Sequence, residues 1–183
     1  AISKAISSKE FEKKSCGDVL TLSFPGTLQV KYLDLVKWTK SGQSNSARIA
    51  GVNLAKKSNN SKILVCANTQ KFSEELIKGY LLRRYEFSNY KTAEDKGLGS
   101  VTLMLKRPKD FEKPLSETKA IVDGVFFTRN LVNEPANILN TVEFSNRLQE
   151  LSTVGIDVEI LEEKKLAELG MNALLGVGKG SAN

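Results

Sequence analysis

The residues that this chain lacks limit the chemistry it can do. None of its 183 residues is histidine, which excludes a Ser-His-Asp or Cys-His nucleophile pair, an HExxH metal site and a Cys₂His₂ finger. Its two cysteines, Cys16 and Cys66, stand too far apart in sequence for a CxxC redox or zinc motif. We therefore expect buried or idle thiols in a reducing, cytosolic compartment. Any chemistry has to use carboxylates, lysines, hydroxyls or backbone amides.

One glycine-rich stretch has a composition typical of phosphate binding. Residues 176–181 read GVGKGS, and glycine-rich turns let backbone amides approach a phosphate. A P-loop requires GxxxxGK[ST], however, and Gly180 separates Lys179 from Ser181. We expect a plain turn here, with phosphate binding as the alternative.

A second stretch interleaves basic and aromatic side chains, as platforms for single-stranded nucleic acids do. Residues 83–91 read RRYEFSNYK. Residues 1–110 carry 20 Lys and Arg against 10 Asp and Glu, and this net charge of +10 favours an anionic partner. The competing interpretation is a helix end followed by an extended segment in which Tyr85 and Phe87 pack inward. The lysine pairs at 13–14 and 56–57 are expected to be solvated.

No pair of carboxylates has the setting of an acid–base couple. Glu94 and Asp95 fall in a charged loop, while Glu162 and Glu163 suit the positive end of a helix. Hydrolysis with two metal ions needs several carboxylates converging around the ions. The residues alone therefore mark out no catalytic, cofactor-binding or metal-binding residue.

The elements that would position such residues belong to a globular α/β protein. The chain is 40% hydrophobic and 26% charged, and no apolar run approaches the ~18–20 residues that span a bilayer. Its first residues lack the apolar core of a signal peptide, so we expect a cytoplasmic protein without a membrane partner. Residues 111–183 carry a net charge of −4, opposite to the first half. The charged, Pro-containing stretch at 106–110 is the predicted seam.

The first half alternates strands and helices. Strands are predicted at 19–24 and 28–36 as a hairpin, at 63–67 as a buried strand, and at 101–105. Ser44 and Asn45 are expected to cap a helix whose inward face holds Ala47, Ala50, Gly51 and Leu54, and a second helix follows over 72–81. The fold class is α/β, with a mixed sheet and flanking helices.

The second half is predicted to begin with a long helix over 116–133, which Pro135 ends. Asn140 caps the next helix with Glu143 bonding back to it, and Gly155 closes that helix. A strand at 156–160 and a helix at 162–169, ended by Gly170, follow. These elements are typical of the opening of a second α/β domain. Apolar surface around Leu174 and Leu175 is expected to be exposed and adhesive.

Several stretches of the second half resemble the leucyl (cytosol) aminopeptidases. The stretch TRNLVNEPANILN at 128–140 is similar to the family's R-[DN]-L-V-N-x-P-x-N, and LGMNALLGVGKGS at 169–181 to its L-G-M-x-x-[FL]-L-x-V-x-x-G-S. The stretch IDVEILE at 156–162 follows the first of these at the family's distance. In the first half, Gly79, Leu82, Tyr85, Phe87 and Tyr90-Lys91 look like the family's G-x-x-L-x-x-Y-x-F-x-x-Y-K.

The resemblance implies a metal-dependent exopeptidase that removes N-terminal residues from peptides, with two divalent cations (Mn or Zn) and a homo-hexameric assembly. It also implies a macro-domain-like N-terminal domain at 1–110, a connecting helix at 111–134 and the incomplete beginning of the catalytic domain at 135–183. The family's metal-binding strings, G-K-G-x-x-[FY]-D-[ST]-G-G and N-T-D-A-E-G-R-L, do not occur here.

No catalytic, cofactor or metal residue is therefore carried over to this chain. We expect a cytoplasmic, non-catalytic part of such an enzyme, which packs against the remainder of the catalytic domain and supports assembly. A basic nucleic-acid-binding module and a macro-like nucleotide-binding domain remain the alternatives. Against the latter, residues 1–110 hold no glycine-rich loop after a strand.

Overall fold

The structure is a computed structural model that describes residues 2–26, 28–39, 42–58, 61–67, 72–92 and 99–180. Its contacts divide the chain into two compact units, with the boundary between Phe127 and Thr128. This boundary lies within the stretch 111–134, which the sequence assigns to a connecting helix. The division into 1–110, 111–134 and 135–183 stays a prediction.

Among the described residues, the first unit contains four strands and most of the helices. In chain order these are α1 (Ile2–Ile6), α2 (Lys9–Glu12), β1 (Val19–Ser23), β2 (Tyr32–Val36), α3 (Ser44–Ser58), β3 (Ile63–Cys66), α4 (Ser73–Arg83), β4 (Val101–Met104) and α5 (Glu112–Asn133), whose last residues belong to the second unit. Every strand and helix predicted for this part of the chain is present. The two short helices α1 and α2 were not predicted.

In the described part of the chain, two small sheets take the place of the single mixed sheet that we predicted. Strands β1 and β2 form an antiparallel hairpin in which Val19 faces Val36, while β3 and β4 pair in parallel, with Ile63 beside Val101. Hydrophobic periodicity identifies a strand but not its neighbour, because pairing is decided by tertiary packing. The coarser expectation, an α/β fold with flanking helices, is confirmed.

Strand β3 is not buried on both faces, as its apolar run ILVC led us to expect. Its side chains alternate between half-buried and exposed, and Leu64 is 61% exposed. Strand β4 has the same alternation, and both strands contribute only one face to the core. A short apolar run cannot by itself distinguish a strand covered on both faces from one covered on a single face.

The core of the first unit lies where α3 and α4 meet the strands. As predicted, Ala47, Ala50, Gly51 and Leu54 form the buried face of α3. Ser44 is the first helical residue, not a cap. Buried side chains of α4 and β1 complete the cluster, namely Leu76, Ile77, Tyr80 and Val19.

Helix α5 begins four residues earlier than we predicted and includes Pro114. Proline is tolerated in a helix's first turn because the N–H groups there have no intrahelical acceptor. A single 3-10 turn, Lys109–Phe111, leads directly into α5, so part of the predicted seam at 106–110 is helical. The helix ends at Asn133, before Pro135, as expected.

The second unit continues with α6 (Thr141–Gln149), a 3-10 turn (Glu150–Val154), α7 (Glu163–Glu168) and α8 (Asn172–Gly178). Gly155 and Gly170 have left-handed φ values of 83° and 73° where these helical segments end, which confirms their predicted role. The strand predicted at 156–160 is not formed. A strand needs the backbone groups of a neighbour, and no neighbouring strand lies in the described part of this unit.

Apolar side chains of the second unit are poorly covered. Among the described apolar residues of 128–180 none is buried, and Val132 and Val177 are each almost four-fifths exposed. Leu174 is also exposed and Leu175 is half-buried, so the expected exposure around 174–175 is present. A monomeric soluble protein rarely leaves so much apolar surface uncovered unless a partner surface packs on it.

Candidate functional site

The stretch TRNLVNEPANILN forms the corner between helices α5 and α6. Helix α5 ends at Asn133. The carbonyl oxygen of Pro135 then accepts hydrogen bonds from the N–H groups of Ile138 (2.9 Å) and Leu139 (3.0 Å). Asn140 follows in an extended conformation and is the N-cap of α6. The proline and the asparagine of this motif therefore end one helix and begin the next.

An ion-pair cluster holds this corner together. Arg147 of α6 lies 3.0 Å from a carboxylate oxygen of Glu134 and 2.7 Å from one of Glu143. The Glu134 side chain is only 3% exposed. Hydrogen bonds to Glu143 and Glu134 raise the pKa of the Arg147 guanidinium above its ordinary value. The guanidinium of Arg147 therefore joins Glu134, the residue that follows α5, to helix α6.

The sequence predicted only part of this cluster. The Asn140 side chain accepts a 2.9 Å hydrogen bond from the Glu143 N–H, as expected for a cap. The predicted reciprocal bond, from the Asn140 N–H to the Glu143 carboxylate, was wrong. The Asn140 N–H donates to the carbonyl of Ile138, and the Glu143 carboxylate binds Arg147. The i, i+4 spacing of Glu143 and Arg147 was an available signal for that pair.

Residues 157–161, which we call the unpaired segment, follow helix α6 and the 3-10 turn after it. Within the described part of the chain, the segment's backbone N–H and C=O groups form no hydrogen bond. The neighbouring Ile156 is half exposed, and Asp157 and Glu159 are exposed as well. Unbonded backbone beside exposed β-branched side chains is a surface able to accept a strand.

Most of the glycine-rich stretch at 176–181 is helical, so it is not the plain turn that we predicted. It does not form a phosphate-binding loop over its described residues either. Gly176 and Gly178 lie in α8, and Lys179 caps it. The N–H groups of Lys179 and Gly180 donate to the carbonyls of Leu175 and Val177. Amides already bonded within a helix end cannot bind a phosphate. Ser181 lies outside the described residues.

The basic and aromatic stretch at 83–91 is engaged in packing. Arg84 donates 2.8 Å hydrogen bonds to the Tyr80 hydroxyl and to the Gly99 carbonyl, and Tyr85 packs edge-on against Phe126 with ring centroids 5.1 Å apart. Two more pairs lie within the stretch, Phe87 with Tyr90 and Lys91 with Glu86. The Tyr85 and Phe87 rings are half-buried in these contacts, which leaves Tyr90 as the exposed ring of the stretch. The nucleic-acid alternative is not favoured.

The two thiols are free. Burial raises the pKa of Cys16, but hydrogen bonds with Thr39 and Ser46 and the charge of Lys37 outweigh it, so the pKa lies below its ordinary value. Cys66 is exposed on β3. The thiols are therefore not both buried, and the expectation that they are idle stays a prediction.

The predicted carboxylate pairs have no catalytic arrangement in the described residues. Glu162 is the N-cap of α7 and Glu163 lies in its first turn, as the sequence indicated. Glu94 and Asp95 lie outside the described residues. In the described part of the chain no helix is both long and apolar enough to cross a membrane.

Comparison with known proteins identifies the family. The profile of the cytosol aminopeptidase family's catalytic domain matches residues 126–183. A curated "probable cytosol aminopeptidase" of Dinoroseobacter shibae is 38% identical over 181 residues, which cover 99% of this chain. The chain belongs to the cytosol aminopeptidase family. It spans 37% of the length of that curated relative.

Solved structures share the fold of this aminopeptidase-family chain. The bottromycin maturation enzyme BotP matches with a TM-score of 0.76 at 22% identity, over 100% of this chain and 41% of that protein. A mutant of tomato leucine aminopeptidase matches with a TM-score of 0.74 at 24% identity, over 92% of this chain and 36% of that protein. At these identities the match is evidence of a common fold.

The described residues of this family member do not fit the two cations that the aminopeptidase resemblance implies. No three His, Cys, Asp or Glu side chains among the described residues are grouped so that they could hold a metal ion. The family's metal-binding strings are also absent from the sequence. We therefore assign no step of the peptidase reaction to this chain. That it holds none of the family's catalytic residues stays a prediction.

Proposed function

We propose that these residues form part of a cytoplasmic, metal-dependent leucyl aminopeptidase that removes N-terminal amino acids from peptides. In this proposal residues 1–110 are a macro-domain-like N-terminal domain, 111–134 a connecting helix and 135–183 the beginning of the catalytic domain. The match over 99% of the chain to 37% of a curated cytosol aminopeptidase is the observation that carries it.

The proposed role of this part of the enzyme is structural, not catalytic. Apolar side chains along residues 128–180 are exposed, and the unpaired segment leaves backbone groups without partners in the described residues. Each buried backbone group left without a hydrogen bond costs about 1–3 kcal/mol, so a surface that covers this segment must supply hydrogen-bond partners, as a neighbouring strand does. The remainder of the catalytic domain is the partner that we propose for it.

The cations of the complete enzyme, two Mn or Zn ions, are held in this proposal by residues outside the chain. BotP has been solved in complex with Mn, which supports a divalent metal in proteins of this fold. Bound cations polarise the scissile carbonyl and activate water when present. The present residues contribute the Glu134–Arg147 corner that orients α6. Assembly of the complete enzyme into a homo-hexamer is part of the proposal.

Amide hydrogen exchange tests the packing role. We would compare the chain alone with a fusion that continues from residue 183 into the remaining residues of the Dinoroseobacter shibae relative. Amides at 157–161 are expected to exchange fast in the chain alone, because they have no acceptors, and to slow by roughly 100-fold or more in the fusion, as strand amides do. Amides of β3, already paired with β4, are the internal reference in both proteins.

The proposed packing would be contradicted if the fusion folds and protects the amides of β3, but the amides at 157–161 exchange as fast as in the chain alone. A fusion carrying Arg147→Gln provides a second readout, since it removes the ion pairs to Glu134 and Glu143. We expect it to keep β3 protection and to lose part of the protection at 157–161.

A further inference from the structure

Ile156 and the unpaired segment that follows it have the pattern of a strand that alternates apolar and acidic side chains. Ile156, Val158 and Ile160 alternate with Asp157 and Glu159. Both isoleucines and both acids are exposed, and the backbone from 157 to 161 forms no hydrogen bond within the described residues. Such an edge is a template on which an identical segment of another copy can add.

We infer that Asp157 and Glu159 prevent a second copy of this chain from pairing antiparallel through its own 156–161 segment. The partner considered is a second copy because its segment has the complementary apolar pattern. An antiparallel pair centred on Val158 places Ile156 of one copy opposite Ile160 of the other. The same register places Asp157 opposite Glu159, twice in each pair of strands, and like charges directly opposite each other destabilise a sheet.

Neighbouring registers do not avoid the repulsion. A shift of two residues along one copy places Asp157 opposite Asp157, and a shift in the other sense places Glu159 opposite Glu159. A shift of one residue moves the acids opposite apolar side chains and onto the wrong face. Every antiparallel register that aligns the apolar faces near the centre of the segment therefore brings two carboxylates together.

Because the repulsion depends on which charges face each other, reversing one of them turns it into attraction. Asp157→Lys places a lysine opposite Glu159 at both ends of the register centred on Val158. Asp157→Lys/Glu159→Lys places lysine opposite lysine and restores the repulsion. Since the protein already has a net charge of +6, each reversal makes it more positive, which disfavours non-specific association.

Sedimentation equilibrium over a range of protein concentrations measures the effect. We expect Asp157→Lys to self-associate roughly 10- to 100-fold more tightly than the unmodified chain, and the double variant to return to the unmodified value. Added salt is expected to weaken association of Asp157→Lys and to strengthen that of the unmodified chain. The matched control is Asp123→Lys, which reverses an exposed acid on α5.

Hydrogen exchange locates the contact, because amides at 157–161 of Asp157→Lys must become protected as concentration rises. The inference is overturned if Asp157→Lys associates no more tightly than Asp123→Lys, or if the double variant associates as tightly as the single one. Neither result affects the proposed aminopeptidase function, whose test uses the fusion protein.

Discussion

Gly51 lies directly against the carbonyl oxygen of Leu76, at the closest approach of helices α3 and α4. A Cβ atom built on Gly51 would overlap that oxygen, and one built on Gly79 of α4 would overlap the carbonyl oxygen of Arg48. The backbones of the two helices thus meet through a pair of glycines, beside the buried Ala47, Ala50 and Tyr80. This contact is the centre of the first unit's core.

Gly51→Ala is expected to destabilise the first unit by at least about 2–3 kcal/mol, because the added methyl group meets rigid backbone and the helices must separate. The measurement is the free energy of unfolding in urea, followed by circular dichroism. Gly124→Ala is the control. Nothing lies within 4 Å of a Cβ at that helical position, so alanine is expected to add about 0.5–1 kcal/mol of stability. Equal effects at the two positions would contradict this packing.

Replacing the buried Thr118 with valine is expected to stabilise the fold. The Thr118 side chain is fully buried in α5, and its hydroxyl oxygen has no hydrogen-bond partner among the described residues. Thr118→Val keeps the shape and removes the unsatisfied hydroxyl, which should raise the free energy of unfolding by about 1 kcal/mol. Thr118→Ser keeps the hydroxyl and loses a methyl group, so it should lower stability by a similar amount. A valine variant less stable than wild type would show that the hydroxyl has a partner in solution.

Glu75 joins α3 to α4 through Arg48 and binds Lys78 within α4. Burial raises the pKa of Glu75, but hydrogen bonds from Lys78 and Arg48 outweigh it and lower the pKa below its ordinary value. A carboxylate with a lowered folded-state pKa stabilises the protein above the unfolded pKa of about 4.3, and this stability is lost as pH falls through the folded value. The pKa of Lys78 is raised, chiefly by its hydrogen bond to Glu75, so its contribution is lost at the alkaline end, as pH rises through its folded value.

Glu75→Gln is therefore expected to lower the free energy of unfolding by about 1 kcal/mol at pH 7 and by almost nothing at an acidic pH below the lowered folded-state pKa of Glu75, where the wild-type carboxylate is protonated. Urea titrations at the two pH values measure this. The control is Glu117→Gln, whose exposed carboxylate lies 3.9 Å from Lys113 and should matter by less than about 0.5 kcal/mol. A loss of the same size at both pH values would mean that the charge of Glu75 is not what stabilises the fold.

Val177→Lys tests whether the surface around Val177, which is exposed in this chain, is covered in the complete enzyme. Val177 is 79% exposed, so lysine should leave the stability of the 183-residue chain within about 0.5 kcal/mol and raise its solubility. In the fusion with the Dinoroseobacter shibae remainder, the same lysine should cost about 2 kcal/mol or more, because it would be buried without a partner. Thermal unfolding of both proteins measures the difference. Thr141→Lys, exposed at the start of α6, serves as the control.

The local features of the fold could be predicted from the sequence because their causes are local. Asn140 caps α6 by a bond to the N–H three residues later, and Gly170 adopts the left-handed conformation that ends α7. The buried face of α3 follows from helical periodicity. Failures arose where distant residues decide the outcome. The strand at 156–160 needs a partner strand, and the exposure of Leu64 depends on what covers β3.

The candidate site shows the same division. The proline and asparagine of the corner could be recognised from their spacing, whereas the pairing of Glu134 with Arg147 joins residues thirteen positions apart across a turn. No periodicity encodes such a contact. The side-chain partners of Arg84, which argue against a nucleic-acid platform, likewise come from tertiary packing.

The most direct test of the account is hydrolysis of leucyl-p-nitroanilide with added Mn²⁺ or Zn²⁺. It compares the 183-residue chain with its fusion to the remaining residues of the Dinoroseobacter shibae relative. The account predicts no metal-dependent hydrolysis by the chain alone and clear hydrolysis by the fusion, because the chain supplies packing surface and the remainder supplies the metal ligands. Metal-dependent hydrolysis by the chain alone, or none by a fusion that folds and protects 157–161 from exchange, would contradict it.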